Sequence, residues 1–344
     1  MTYPATLAKE IVRLDDPASG LDGFIVIHST VRGVGAGGCR LRRYDDREAL
    51  YLDAARLAEG MALKNALAEL PFGGAKAVLN LPDEPFDRRA LFRAFGRAVA
   101  DLGGRYVTAE DVGTTMADME CVRTETRHVA GLRQRADVAG GDPGPWTALG
   151  VFAAIEAAAR VTLDRPLSAL RVAVQGTGSV GAALCGLLAD AGARLTIADA
   201  DPARADAVAA RHDARIVDGD AILTAAVDIL APCALGGVLT RQLVPAIRAR
   251  LICGAANNQL AAPQVAAMLH GRGIVYVPDY AANAGGVISG TAEYLGESAV
   301  VTQARIRDIG PRVTAILDAA RRDGLPPVAV AEQWAATRYR RQAA

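Results

Sequence analysis

The chain is poor in the groups that cross-link proteins or hold metals. Its five cysteines, Cys39, Cys121, Cys185, Cys233 and Cys253, are scattered, odd in number and without C-x-x-C spacing. Reduced structural thiols in a cytoplasmic protein are therefore expected, not a disulfide framework. The four histidines, His28, His128, His212 and His270, lie far apart in the sequence, which argues against a zinc site or a histidine-based triad; no metal is expected. Neither sign of charge is in excess, with 38 Lys plus Arg against 38 Asp plus Glu. That balance offers no field for nucleic acid or an anionic membrane, and fits a soluble protein acting on small molecules. The opening "MTYPATLAKEIVRLDD" has no basic start followed by an apolar stretch, so no secretory leader is expected there. The uncharged run 172–189, "VAVQGTGSVGAALCGLLA", is broken by Gln, Thr, Ser and four glycines. It reads as a buried strand, a turn and a buried helix, not a membrane span. There is no internal repeat and no low-complexity tract.

What is present is apolar bulk: 344 residues, 51% of them hydrophobic, enough for two cores. Patterning predicts strands at 22–31, 75–81 and 105–110 and helices at 46–69 and 88–102. "AGGDPGPWT" (139–147) punctuates the chain and marks the expected domain boundary. Beyond it a helix (147–160) precedes strands and helices in alternation: "LRVAVQG", helix 179–191, "RLTIADA", helix 202–211, "ARIVD", "VDILAPC", "LICGAAN" and "GIVYVPDY". Such alternation predicts an α/β fold with a doubly wound parallel sheet. Residues 303–323 read as an arginine-rich helix.

Two constellations carry chemistry. The first is G-x-G-x-x-G at Gly176, Gly178 and Gly181, between an apolar strand and an alanine-rich helix. That order sets backbone N–H groups and a helix N-terminus against a pyrophosphate. Asp199, at the end of the next strand, suits the ribose hydroxyls of NAD and would repel the extra phosphate of NADP. Arg204 stands close by, so strict NAD use is not implied, and Asp201 before Pro202 reads as a helix cap. The second is Lys76 in "LPFGGAKAVLN", with Lys64 twelve residues upstream and Asp111 in "TAEDVGTT". Lysines that share a pocket lower one another's proton affinity, and a desolvated one can act as a base. Gly73–Gly74 would let a ligand approach the backbone. A solvent-facing edge lysine is the plainer alternative.

"KNALAELPFGGAKAVL", "RYVTAEDVGTTMADM", "GDPGPWTALGVF", "QGTGSVG", "APCALGGVL", "GAANNQL" and "PDYAANAGGVI" follow one another between about residues 23 and 300. In this order they resemble the glutamate/leucine/phenylalanine/valine dehydrogenase family, nearest its leucine and phenylalanine branch. The resemblance implies an N-terminal α/β substrate and oligomerisation domain (1–138), with a tail from about 314 to 344 packing back on it. It also implies a Rossmann-type NAD-binding domain (139–313) and a cleft between the two. By position, Lys64 would bind the substrate carboxylate, Lys76 would activate water and Asp111 would shuttle protons at the nitrogen. Gly37 and Gly38 would line the substrate site, with Asn283 close to the reacting centre. Ser179, Val180, Thr147, Cys233, Ala234, Ala255 and Asn257 would join Gly176, Gly178, Gly181 and Asp199 around the cofactor.

The resemblance also implies a side-chain pocket of Ala36, Ala109, Val287 and Gly290. Leucine-preferring relatives carry leucine in place of Ala36 and valine in place of Gly290. Two shortened walls favour an aromatic amino acid, phenylalanine first, then tryptophan or tyrosine; a repacked pocket taking leucine or valine is the alternative. These walls offer no lysine or serine for a glutamate side chain. Cys39 and Trp146 depart from the usual threonine and valine; interdomain packing is the simplest role for Trp146. A hydroxy-acid dehydrogenase would need a histidine base, and none of the four histidines lies in a glycine-bounded motif. A non-catalytic NAD-binding protein could dispense with Lys64, Lys76 and Asp111, and all three are present. A homo-oligomer is implied by resemblance.

Overall fold

The computed structural model describes residues 10–83, 85–133 and 138–340, side chains 339 and 340 excepted. The first nine residues, and with them part of the leader reading, lie outside the described residues. The chain divides into two compact units. One draws on Met1–Asp142, Ile288–Thr302 and Trp334–Ala344, the other on Pro143–Val287 and Gln303–Gln333.

The first unit opens with β1 (Glu10–Asp16), β2 (Leu21–Ser29), β3 (Gly35–Ala36), β4 (Cys39–Arg42) and α1 (Arg47–Leu67). It continues through β5 (Gly73–Asn80), α2 (Arg88–Asp101), β6 (Tyr106–Val107) and α3 (Met116–Arg123). The sheet runs β1-β2-β5-β3-β6, with β4 also on β5. Both faces of β5 are covered, which is why it reads as a continuous apolar run. Ala75, Ala77 and Leu79 join a core with Phe92 and Phe95 of α2. Val78, on the other face, packs with Leu50, Ala54 and Ala58 of α1. Fully burying side chains of Leu or Phe size stabilises by roughly 1.5–3 kcal/mol each.

β3 and β4 lie along one edge of β5 and are parallel to it. β3 pairs with Gly73–Gly74 and β4 with Ala77–Asn80, so this ladder skips Ala75 and Lys76. Gly37–Gly38 forms the interruption. A Cβ on Gly37 would lie 1.8 Å from the Ala75 carbonyl oxygen, and one on Gly38 2.6 Å from that of Glu110.

The second unit contains α4 (Pro143–Leu163), β7 (Arg171–Gln175), α5 (Ser179–Asp190), β8 (Arg194–Ala198), α6 (Pro202–His212), β9 (Arg215–Ile216) and β10 (Ile229–Pro232). β11 (Leu251–Ile252), α7 (Gln264–Gly271), β12 (Val275–Tyr276) and α8 (Asp279–Ala282) follow. The sheet is parallel throughout, in the order β12-β11-β10-β7-β8-β9. This is the expected doubly wound arrangement, with its order reversing between β7 and β10, where ligands bind in such sheets. The remaining helices are α9 (Gly285–Leu295), α10 (Ala299–Arg307), α11 (Ile309–Asp323) and α12 (Pro327–Arg340).

Three expectations change. "DPGPWT" is not a break ahead of a helix starting at 147, because α4 begins at Pro143. Prolines fit a first helical turn, whose N–H groups have no partner within the helix. α4 is long and apolar enough to cross a bilayer, but its apolar length packs against α5 and α11. The helix expected at 303–323 is two helices, α10 and α11, with Asp308 between them. Finally, the expected tail from about 314 to 344 is divided: Trp334–Ala344 groups with the first unit, in line with the expectation, whereas Gln303–Gln333 groups with the second, and Ile288–Thr302 returns to the first. The apolar stripe of α11, including Val313, Ile316, Leu317 and Ala320, is buried, and α11 packs on α4.

Candidate active site

Lys76 is not an edge lysine. It is 5% exposed on a central strand, and its Nζ lies 2.9 Å from Asp111 Oδ2. Asp111 sits in the loop after β6. Its N–H donates to Thr114 Oγ1 (2.9 Å), the Thr114 N–H donates to its carbonyl (3.0 Å), and Thr114 Oγ1 also reaches the Cys39 carbonyl (3.0 Å). A second cation reaches the same carboxylate oxygen, Arg40 Nε at 3.2 Å. Burial pushes the Asp111 carboxyl up, but the charges of Lys76 and Arg40 outweigh it and bring it down to about 2. The Cys39 thiol beside this pair is pushed well up, by burial above all.

Lys64 lies in the last turn of α1 and is half-buried. Gly73–Gly74, expected to let a ligand approach the backbone, instead face space that the protein itself fills. A Cβ on Gly74 would lie 2.3 Å from Ala62 N of α1, and one on Gly73 1.9 Å from the Ser29 carbonyl oxygen. Asn65, fully buried, locks the same contact by donating to the Gly73 carbonyl at 2.6 Å. The glycines bring α1, with Lys64 on it, down onto β5. Gly37 is equally enclosed: its N–H donates to Val107 and its carbonyl accepts from Tyr106 Oη at 2.7 Å. Gly38 touches the acid, since its missing Cβ would lie 3.0 Å from that of Asp111.

Ala36 and Ala109 are half-buried. Val287 and Gly290 lie three residues apart on α9. A Cβ on Gly290 would meet one atom within 4 Å, Ala130 Cβ at 3.9 Å, so the space beside it is open. Ala130 is buried, and its N–H donates to the Thr108 carbonyl at 2.9 Å. Glu293, on the next turn of α9, accepts from Gly131 N–H and Leu132 N–H at 2.9 Å each and so fixes this loop. Sequence reasoning missed Ala130 and Glu293. The available signal was Glu293 as the one acid in "GGVISGTAEYL".

In the second unit the glycine turn forms a cradle. Gly176 has φ +90°, closed to most L side chains, and a Cβ there would lie 2.8 Å from that of Ala234. A Cβ on Gly181 would lie 1.9 Å from the Gly176 carbonyl oxygen, whereas one on Gly178 would meet nothing within 4 Å. α5 starts at Ser179 without a side-chain cap bond from Gly178, and Val180 is half-buried behind it. Asp199 Oδ2 accepts from Thr177 N–H (2.6 Å) and Thr177 Oγ1 (3.0 Å), and Oδ1 accepts from Asp201 N–H (2.8 Å). Burial raises the Asp199 carboxyl, but these bonds and Arg204 bring it below the ordinary value. Asp201 caps α6 by accepting from Ala203 N–H, as expected, and holds Arg204 at 3.3 Å.

Burial pushes the Cys233 thiol up to about 12, so it is no thiolate nucleophile. Asn283 Nδ2 donates to the Ala255 carbonyl (3.0 Å) and to Asn257 Oδ1 (2.8 Å). Its Oδ1 is buried without a hydrogen-bond partner. Thr147 Oγ1 donates to the Pro143 carbonyl (2.8 Å) and would lie 2.6 Å from a Cβ on Gly286. Trp146 is half-buried, and its carbonyl oxygen would be 2.0 Å from a Cβ on Gly285. The structure thus gathers Lys76, Asp111 and Gly38 in one unit. In the other it gathers Gly176, Gly181 and Ala234, and separately Ala255, Asn257 and Asn283.

A doubly wound parallel sheet with a glycine cradle, in one chain with a buried lysine–aspartate pair, is compatible with a nucleotide-dependent oxidoreductase. Known proteins narrow the class. Residues 7–128 match the Glu/Leu/Phe/Val dehydrogenase dimerisation domain, and residues 199–308 match the glutamate/leucine/phenylalanine/valine dehydrogenase domain. The leucine dehydrogenase of Bacillus subtilis is 39% identical over 334 residues, covering 97% of this chain and 92% of the relative. The valine dehydrogenase of Streptomyces virginiae is 41% identical, covering 96% and 93%. Among solved structures, L-tryptophan dehydrogenase from Nostoc punctiforme superimposes with a TM-score of 0.84 at 35% identity, covering 97% and 96%. The chain belongs to the glutamate/leucine/phenylalanine/valine dehydrogenase family. It is an amino-acid dehydrogenase, an oxidoreductase acting on CH–NH2 donors, from a family that is in general NAD(P)-dependent.

Proposed function

We propose that the enzyme carries out the NAD-dependent, reversible oxidative deamination of an aromatic L-amino acid, phenylalanine first, then tryptophan or tyrosine. The products are the 2-oxo acid and ammonia. The observation that carries the aromatic reading is the open space beside Gly290, where a Cβ would meet Ala130 alone. The activity named for the Nostoc structure points the same way. A branched-chain substrate is the second reading, favoured by the names of the leucine and valine dehydrogenase relatives.

The cradle residues fit a dinucleotide. Gly178 leaves the start of α5 clear, where N–H groups and the helix dipole favour a pyrophosphate. Asp199 Oδ1 accepts one bond in the protein and keeps capacity for a ribose hydroxyl, which supports NAD. The orphaned Asn283 Oδ1 suits an amide donor such as the nicotinamide carboxamide, with Thr147, Asn257 and Cys233 as further cofactor contacts. A nicotinamide cofactor held by these residues would supply hydride acceptance from the substrate Cα. Lys64 holds the substrate carboxylate. Asp111, a carboxylate at working pH, accepts a proton from the substrate nitrogen. Lys76, one hydrogen bond from Asp111, deprotonates the water that adds to the imine carbon. Protons return to the nitrogen through Asp111, and ammonia leaves. Close backbone approaches at Gly38 and Gly74 beside Asp111 and Lys76 limit their reorganisation during these transfers.

A homo-oligomer is supported by the dimerisation domain matched at residues 7–128, and a cytoplasmic setting by the free state of all five cysteines. The test is NAD reduction at alkaline pH with Phe, Trp, Tyr, Leu, Val and Glu, and ammonia dependence in reverse. An aromatic lead supports the proposal. A lead by leucine or valine overturns the pocket argument and keeps the mechanism. Silence on all six overturns both.

A further inference from the structure

Arg40 has no part in the roles assigned above. It stands opposite Val78 in the β4–β5 ladder, so it projects from the same face of the sheet as Lys76. Its side chain is 14% exposed. Its Nε is 3.2 Å from Asp111 Oδ2, the oxygen that Lys76 approaches at 2.9 Å. Its Nη1 is 3.0 Å from Oδ2 of Asp53, an α1 residue whose side chain is 11% exposed. Tyr44 Oη donates to that same oxygen at 2.6 Å, and Arg56 reaches Asp53 Oδ1 at 3.1 Å. Lys76, Asp111, Arg40 and Asp53 thus form a row of alternating charge. The titratable groups electrostatically coupled to this row include Arg56 of α1, Cys39 of β4, Tyr44 and Tyr106 of β6.

We propose that Arg40 is a positioning residue that holds the Asp111 carboxylate against Lys76 and sets the protonation of this pair, anchored from behind by Asp53 and Tyr44. The inference rests on the reading of Lys76 and Asp111 as the proton-handling groups. A fixed positive charge beside both favours the deprotonated form of each. Without it, Lys76 would be the sole cation on a buried carboxylate, and the pair would release its proton at higher pH. Two acceptors on different elements need a planar fork, which arginine has and lysine lacks.

The chain has three lysines, Lys9, Lys64 and Lys76. Protein carrying 13Cε-labelled lysine therefore gives three side-chain signals, and Lys76 can be followed through pH without turnover. Arg40→Gln should raise both the Lys76 titration and the acidic limb of kcat/KM by about one pH unit. At neutral pH its kcat should fall about tenfold, with the amino-acid KM changed less than about threefold, and activity should return as pH rises. Arg40→Lys should keep the titration and lose part of kcat. Asp53→Asn, which leaves Arg40 charged but loosely held, should shift both readouts the same way by less. An unmoved limb and unmoved Lys76 titration in Arg40→Gln overturn the proposal, whatever happens to kcat. Full activity in Asp111→Asn overturns instead the role given to Asp111, and the Lys76 titration in Arg40→Gln then decides the role of Arg40.

Discussion

Lys76 Nζ and Asp111 Oδ2 meet at 2.9 Å, with the lysine 5% exposed and the aspartate side chain 18% exposed. A depressed carboxyl stabilises the fold above its unfolded value and stops doing so as pH falls through its folded value. For Asp111 that window runs from its ordinary 3.8 down to about 2. The contribution at neutral pH is about 2 kcal/mol, and about half of it is lost on going from about pH 5 to about pH 3. Urea unfolding at those two pH values should show this loss in the wild type. Asp111→Asn should lack that component and start less stable at pH 5, because Lys76 loses its nearest counter-charge.

Lys76→Met keeps the length of the side chain and removes the amine. Asp111 retains Arg40, so the fold should hold, while kcat should fall by about 10³ or more. NAD affinity, measured by titration calorimetry, should stay within a factor of about two, because the cradle residues belong to the other compact unit. Weakened NAD binding in this variant would mean wider damage.

Gly290→Val places branched carbon where the structure has room for a Cβ. The melting temperature should change little. The ratio of kcat/KM for phenylalanine over leucine should fall by about tenfold to a hundredfold, the range that one or two methyl groups discriminate. An unchanged ratio would remove Gly290 from the pocket.

Two glycines of one motif should respond differently. Gly181→Ala puts a methyl carbon 1.9 Å from the Gly176 carbonyl oxygen and should destabilise the second unit by a few kcal/mol, on the order of an overpacked core site. Gly178→Ala meets nothing in the protein. It should leave unfolding unchanged and weaken NAD about tenfold or more, because its methyl enters the space that phosphate approach requires. Thermal melts with and without NAD separate the two.

Much of this was legible in the sequence because the signals are local. The glycine turn, its preceding strand and Asp199 follow one another in the chain, and the parallel sheet appeared as the alternation of strands and helices. Lys76 stood out because an apolar run surrounds it. The rest depends on partners distant in sequence. Arg40 follows two glycines and a cysteine and reads as loop, and only the β4–β5 ladder turns it toward Asp111, 71 residues on. Gly73–Gly74 read as space for a ligand, because nothing local reveals that Ala62 and Ser29 fill it. β3 is two residues long, too short for any periodicity. One compositional clue was there to read: of 38 basic residues three are lysines, and two of these are Lys64 and Lys76. Arginine stays protonated, so the proton-exchanging role proposed for Lys76 is one that only lysine of the two can fill.

The break between β3 and β4 also bears on how such an enzyme can diversify. A Cβ on Gly37 would lie 1.8 Å from the Ala75 carbonyl oxygen, so a side chain there would displace the strand that carries Lys76. At Gly290, the proposed pocket wall, a Cβ would meet one methyl at 3.9 Å, so the protein can accommodate a larger residue there. On the proposed assignment, the proton-handling pair and the substrate wall sit at separate positions, so a substitution at Gly290 would alter substrate preference without touching Lys76.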